Sequence, residues 1–166
     1  MSVTRPIVPA GVPGGKLAAA SPCDDRRVDH GRRSVPHIAD LRIEAWGRSR
    51  EECVAQVVLG LVESFADTRG VQPACSATAR LSAPDDPGLV AAAVDEVIYL
   101  LDAHGMLALD AAAARTQDGG IELTWRLASV ETVEITGAAP KAAALSGLTC
   151  APDAAGVWHA AVTVDV

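Results

Sequence analysis

Aromatic side chains are scarce in this sequence: 166 residues include one Phe, one Tyr and three Trp. A core made from such a chain must be built from Leu, Val, Ile and Ala. Long apolar runs are missing as well. None approaches the ~20 residues needed to cross a bilayer, so no membrane span is expected. The N-terminal stretch from Pro6 to Ala20 is broken by Pro9, Gly11, Pro13, Gly14 and Gly15, and Lys16 interrupts its apolar character, so it does not read as a signal peptide. The four cysteines, Cys23, Cys53, Cys75 and Cys150, include no C-x-x-C pair, which excludes a zinc knuckle and a thioredoxin-type motif. A disulfide framework is not expected, consistent with a reducing cytoplasm. Cys53 falls on a predicted helix face and reads as a small buried hydrophobe. No glycine-rich loop leads from a strand into a helix to cradle phosphate. No His and Asp pair is placed to activate Ser49, which reads as a helix cap and not as a nucleophile. An independent hydrolase is therefore not expected.

What is present fits one domain with one hydrophobic core. The net charge of −7 is unevenly spread. Residues 1–35 carry six basic and three acidic groups, whereas residues 36–166 carry eight basic and eighteen acidic groups. The acidic part is a poor polyanion binder, because affinity for nucleic acid comes largely from Lys and Arg on phosphates. It suits a protein that binds cations or a basic partner surface. Residues 1–34 are rich in Pro, Gly, Ala and Arg without any period and read as a disordered tail. The domain is expected over 35–166.

From Val35 the character changes. Ala39, Leu41, Ile43 and Ala45 alternate with Asp40, Arg42, Glu44 and Trp46, the period of a half-buried strand that Gly47 ends. Ser49 with Glu52 three residues later is a capping box. A helix then runs to about Ala66, with Val54, Val57, Val58, Leu61, Val62 and Phe65 on one stripe. Gln72 to Ser82 reads as a strand. The turn Pro84-Asp85-Asp86-Pro87-Gly88 leads into a second helix over about Gly88 to Ala103, closed by His104-Gly105. Strands are expected at Met106 to Ala113, Ile121 to Leu127, Val130 to Thr136, Ala142 to Thr149 and Val157 to Val166, with Asp118-Gly119-Gly120 as a hairpin turn. This order predicts an α+β fold, with two helices packed on a largely antiparallel β-sheet.

In the last strand Trp158, Ala160, Val162, Val164 and Val166 share one face, and His159, Thr163 and Asp165 share the other. Asp40 likewise sits opposite the apolar residues of the first strand. If the two strands are neighbours, Asp40 and Asp165 approach each other, and two carboxylates a few Å apart repel unless a cation or proton lies between them. All-oxygen ligands suit calcium or magnesium. On pattern alone, two solvated aspartates are the simpler reading. His37 reads as a structural histidine at the strand end, His159 as an inert surface residue, and Asp95-Glu96 as part of a solvated helix face.

Three segments together resemble one known family. Pro36-His37-Ile38-Ala39-Asp40, followed by Gly47 and an acidic-capped helix, is similar to the opening His-Thr-Ala-Asp segment of archeases. Ala93-Val94-Asp95-Glu96-Val97-Ile98-Tyr99-Leu100-Leu101-Asp102 is similar to their second helix. Val157-Trp158 through Asp165-Val166 is similar to their closing strand, which ends in Asp-Ile or Asp-Val. The resemblance covers about residues 36–166 and implies an α+β fold built on a strand-helix-strand-strand module. It also implies an accessory factor, not an enzyme, that promotes guanylylation and turnover of an RtcB-type RNA ligase in tRNA splicing and RNA repair. The same resemblance implies a calcium site, or one for another divalent cation, made by Asp40, Asp165 and an oxygen of Val166; the cysteine usage and the acidic charge add the expectation of a cytoplasmic protein that does not bind nucleic acid directly. Where archeases carry Thr, this chain has Ile38. Of their Lys-x-x-Thr-x-His stretch it keeps Lys141, a candidate partner contact, but has Ala144 and Ser146 at the Thr and His positions. The alternative is a divergent binding or structural module that keeps the metal site and has lost ligase activation.

Overall fold

The structure, a computed structural model, describes residues 31–36 and 40–166, with side chains described from 31 to 33 and from 40 onward. Residues 1–30 of the expected tail, and His37, Ile38 and Ala39, lie outside the described residues. Among the described residues, nine strands and two α-helices follow one another as β1 (Gly31–Pro36), β2 (Asp40–Gly47), α1 (Arg50–Phe65), β3 (Ala66–Asp67), β4 (Cys75–Leu81), α2 (Asp86–His104), β5 (Met106–Arg115), β6 (Ile121–Ser129), β7 (Glu134–Ile135), β8 (Ala142–Pro152) and β9 (Trp158–Asp165).

The α+β class, with two helices and antiparallel strands, is the one expected. The strands divide into a four-stranded sheet ordered β1-β2-β9-β8, a three-stranded sheet ordered β4-β6-β5, and the small pair β3-β7. Both helices touch both larger sheets. α1 packs on β2 and β5, and α2 on β8, β4 and β5. Helices in this position are enclosed on most sides, which is why α1 buries Gln56 and Gly60 as well as its valine and leucine stripe. Trp125 of β6, together with Phe65, Ile43, Leu61 and Leu123, fills the interior.

The helix ends follow from the sequence. The Ser49 hydroxyl accepts the Glu52 amide at 3.1 Å, and the Glu52 carboxylate accepts the Arg48 amide at 2.8 Å, one residue outside the cap itself. Asp85 caps α2 by accepting the Gly88 amide at 2.8 Å. Gly105 ends α2 with φ 60, a left-handed conformation that glycine adopts at no steric cost.

Three expectations are corrected. The tail boundary at 34/35 falls inside a strand, since β1 starts at Gly31 and pairs with β2 from Gly31↔Trp46 to Pro36↔Leu41. Its Arg32 reaches α1, donating from Nε to Glu63 at 2.7 Å and from a terminal nitrogen to Gln56. Val130 to Thr136 is not one strand. Ser129 caps a single 3-10 turn over Val130–Thr132, and only Glu134–Ile135 pairs, with β3. The segment from Gln72 joins the sheet only at Cys75, preceded by one hydrogen bond from the Ala74 amide to Leu127.

Candidate metal centre

β2 and β9 are antiparallel neighbours, and their register sets Asp40 directly opposite Asp165, Arg42 opposite Thr163, and Ile43 opposite Val162. Ile43, Ala45, Ala160 and Val162 face the helices and are buried. By the alternation of a strand, Asp40, Arg42, Thr163 and Asp165 face the other way. Asp40 is half-buried, Asp165 exposed and Val166 half-buried. Side chains directly opposite each other have Cβ atoms about 4.5–5.5 Å apart, and like charges there repel.

The nearest arginine on the same face of β2 is Arg42, and its Nε donates to Glu44 at 3.2 Å. Arg33 of β1 grips Glu44 as well, at 2.7 Å. Hydrogen bonds from these two arginines hold the Glu44 carboxyl below the usual carboxylate range. Among the described residues, no lysine, arginine or histidine forms an ion pair with Asp40 or Asp165.

Lys141 stands at the same end of the sheet. Its amide donates to the Asp165 carbonyl at 2.8 Å, and its neighbour Ala142 pairs with Asp165. The Lys141 side chain is exposed. The two aspartate carboxylates and the oxygens of Val166 lie at this same corner. Oxygens alone suit a hard cation such as calcium or magnesium. Among the described residues, no cluster of three or more His, Cys, Asp and Glu side chains could hold a metal. The two aspartates therefore need Val166 or water to complete a coordination shell.

Of the three positions that depart from the archease pattern, Ile38 lies outside the described residues, and Ala144 and Ser146 fall on the strand beside this corner. Ala144 pairs with Thr163 and is the last residue of β8 in register before a break that resumes at Thr149↔Ala161. Leu145, Ser146, Gly147 and Leu148 thus bulge from the edge strand. Ser146 is exposed, Leu145 is 73% exposed, and Gly147 has φ 72. Sequence reasoning missed this bulge, although a glycine inside a strand pattern is the usual sign of one.

The other candidate residues lie elsewhere. Glu96 is buried at 5% exposure, so Asp95-Glu96 is not a solvated pair as expected; only Asp95 is exposed. The α2 helix is enclosed between sheets, and that takes Glu96 inside. His159 is exposed and pairs with Asp153 at 3.1 Å in the β8–β9 turn. No helix among the described residues is long and apolar enough to cross a membrane.

Comparison with known proteins points in one direction. The model of the Archease protein family matches residues 33–166. A Mycobacterium tuberculosis protein named "Probable protein archease" is 44% identical over 136 residues, covering 82% of this chain and 75% of that protein. A "Protein archease" of Pyrobaculum neutrophilum is 34% identical over 68 residues, 41% of this chain and 46% of that protein. The solution structure of protein 1598 of Methanobacterium thermoautotrophicum superposes with a TM-score of 0.58 at 21% identity, covering 82% of this chain and 99% of that one, a likeness of fold.

Proposed function

Since the chain belongs to the archease family, we propose that it is a cytoplasmic accessory protein that activates an RtcB-type RNA ligase in tRNA splicing and RNA repair. In this reading it promotes the guanylylation and multiple turnover of the ligase and catalyses no reaction itself. The observation that carries the reading is the family match over residues 33–166, which includes both strands of the Asp40–Asp165 corner.

Asp40, Asp165 and an oxygen of Val166 are the proposed ligands of calcium or another divalent cation. When bound, such an ion would neutralise two facing carboxylates and tie β2 to β9. The protein's own residues prepare the corner. Register places the two aspartates opposite each other, and Glu44 draws Arg42 aside. Lys141 and the bulge beside it are the proposed contact with the ligase. The acidic balance of residues 36–166 favours a basic protein surface as the partner over RNA itself.

The test is a guanylylation assay with the RNA ligase of the same organism. Faster guanylylation and more turnovers per ligase on adding this protein are expected; no change in either would overturn the reading. A second reading, a divergent module that keeps the metal corner and has lost activation, is favoured by Ala144 and Ser146, which remove a hydroxyl and an imidazole at the bulge.

A further inference from the structure

Two buried cysteines from distant parts of the chain meet in the interior, away from the metal corner. Cys53 lies in the first turns of α1 and is 0% exposed; its thiol donates to the Ala45 carbonyl at 3.5 Å. Ala45 pairs with Ala160, and Ala160 pairs with Cys150 of β8, so the three residues form one rung across the inner face of the larger sheet. Cys53 sits over that rung, on the side of the sheet that Cys150 also faces, and each thiol lies within the other's electrostatic reach. Both are free thiols. β8 is the edge of its sheet, and Cys150 keeps 6% exposure.

We propose that Cys53 and Cys150 are an intrachain redox pair that a peroxide oxidant closes to a disulfide. The thiolate of Cys150 attacks one peroxide oxygen, the O–O bond breaks, and the departing hydroxide leaves as water after taking a proton. The Cys150 sulfenic acid that results is attacked by the Cys53 sulfur. Hydroxide leaves from the Cys150 sulfur and takes the Cys53 proton as a second water. Two thiols and one peroxide thus give one disulfide and two waters, with two electrons passing from sulfur to oxygen. The roles follow from the surroundings. The neighbouring Cys53 pushes the Cys150 thiol down, and the neighbouring Cys150 together with burial pushes the Cys53 thiol up. Cys150, on the edge strand and the less deeply buried of the two, attacks first, and Cys53 resolves. The bond ties the start of α1 to the strand that carries the Leu145–Leu148 bulge. It closes a long chain loop, the situation in which a cross-link restricts the unfolded chain most.

The experiment uses the full chain, reduced, freed of reductant and exposed to hydrogen peroxide. It is then denatured, alkylated and mapped by peptide mass spectrometry. The expected product joins the Cys53 and Cys150 peptides at a mass lower by two hydrogen atoms, is reversed by dithiothreitol, and melts at a higher temperature than the reduced chain. A Cys75→Ser variant keeps the same link. Mapping needs only the unaltered chain, so the result does not depend on whether Cys53→Ser or Cys150→Ser folds. The proposal is overturned if both thiols remain alkylatable after peroxide. It is also overturned if Cys150 ends as a sulfinic acid beside an alkylated Cys53, or if the links formed run to Cys23 or Cys75.

Discussion

Asp40 at the start of β2 and Asp165 at the end of β9 are direct partners in the antiparallel ladder. The pair joins the two ends of the domain through two like charges, with no cationic side chain among the described residues paired to either. Calcium is therefore expected to raise the melting temperature and EDTA to reverse the rise, by about 2.7 kcal/mol of stabilisation at 100 times the dissociation constant. Asp165→Asn and Asp40→Asn should each abolish the rise in differential scanning fluorimetry. An equal shift in wild type and Asp165→Asn would take Asp165 off the ligand list.

The Ser49 hydroxyl accepts the Glu52 amide at the head of α1. Ser49→Ala leaves that donor without its partner and should cost about 1 kcal/mol. The urea midpoint, at unchanged m-value, measures it. A midpoint equal to wild type would show that water replaces the cap without loss.

Gly47 ends β2 against the first turn of α1, where a Cβ would come within 2.6 Å of the Cys53 amide nitrogen. That neighbour is backbone and cannot swing aside. Gly47→Ala should destabilise the fold by about 1–3 kcal/mol through overpacking. A chemical denaturation curve indistinguishable from wild type would mean that β2 and α1 separate freely at this point.

Asp153 organises the β8–β9 turn, accepting the Ala155 amide at 2.8 Å and the Val157 amide at 3.0 Å while it pairs with His159. These contacts hold its pKa below the ordinary value. A depressed carboxyl contributes stability that is present above its unfolded pKa of about 3.9 and is lost as pH falls through the folded value. Asp153→Ala should therefore be less stable than wild type at neutral pH, with the gap closing as pH falls below about 4. A gap of constant size in urea titrations down to acid pH would show that the turn contacts do not depend on the charge.

Ala144 and Ser146 flank the start of the bulge that interrupts β8. Under the proposed function, installing the residues that archeases carry, Ala144→Thr with Ser146→His, should give severalfold more ligase guanylylation than the unaltered chain does, without lowering thermal stability. Stimulation unchanged or reduced would remove these two positions from the ligase-facing surface.

Both helices, their caps and most strands were legible in the sequence because each is governed by local rules: alternation in β2 and β9, the serine and aspartate caps, Gly105 at a left-handed position. The facing of Asp40 and Asp165 was legible only in part. Periodicity put each on the polar side of its strand, but adjacency is a long-range fact that no local pattern encodes. β1 escaped notice because its residues, Gly31-Arg32-Arg33-Ser34-Val35-Pro36, have little apolar alternation; β2 and the Arg32 contacts with α1 hold it in place. Glu96 was misplaced because an acidic residue is normally read as exposed, whereas a helix between two sheets has little solvent face to offer. The meeting of Cys53 and Cys150 is of the same long-range kind.

The antiparallel marriage of β2 with β9 also sets the order of events in folding. β2 comes early in the chain and, until β9 arrives nearly a whole domain later, can hydrogen-bond only to β1. One edge of β2 then stays open, backed by the apolar side chains of Ile43 and Ala45, and an open strand edge is a template for wrong partners. Closure of the larger sheet must wait for a contact between segments nearly a whole domain apart in the chain, which makes it a slow, high-contact-order step. An ion that favours the closed corner would act after that step, slowing its reversal more than it speeds its formation.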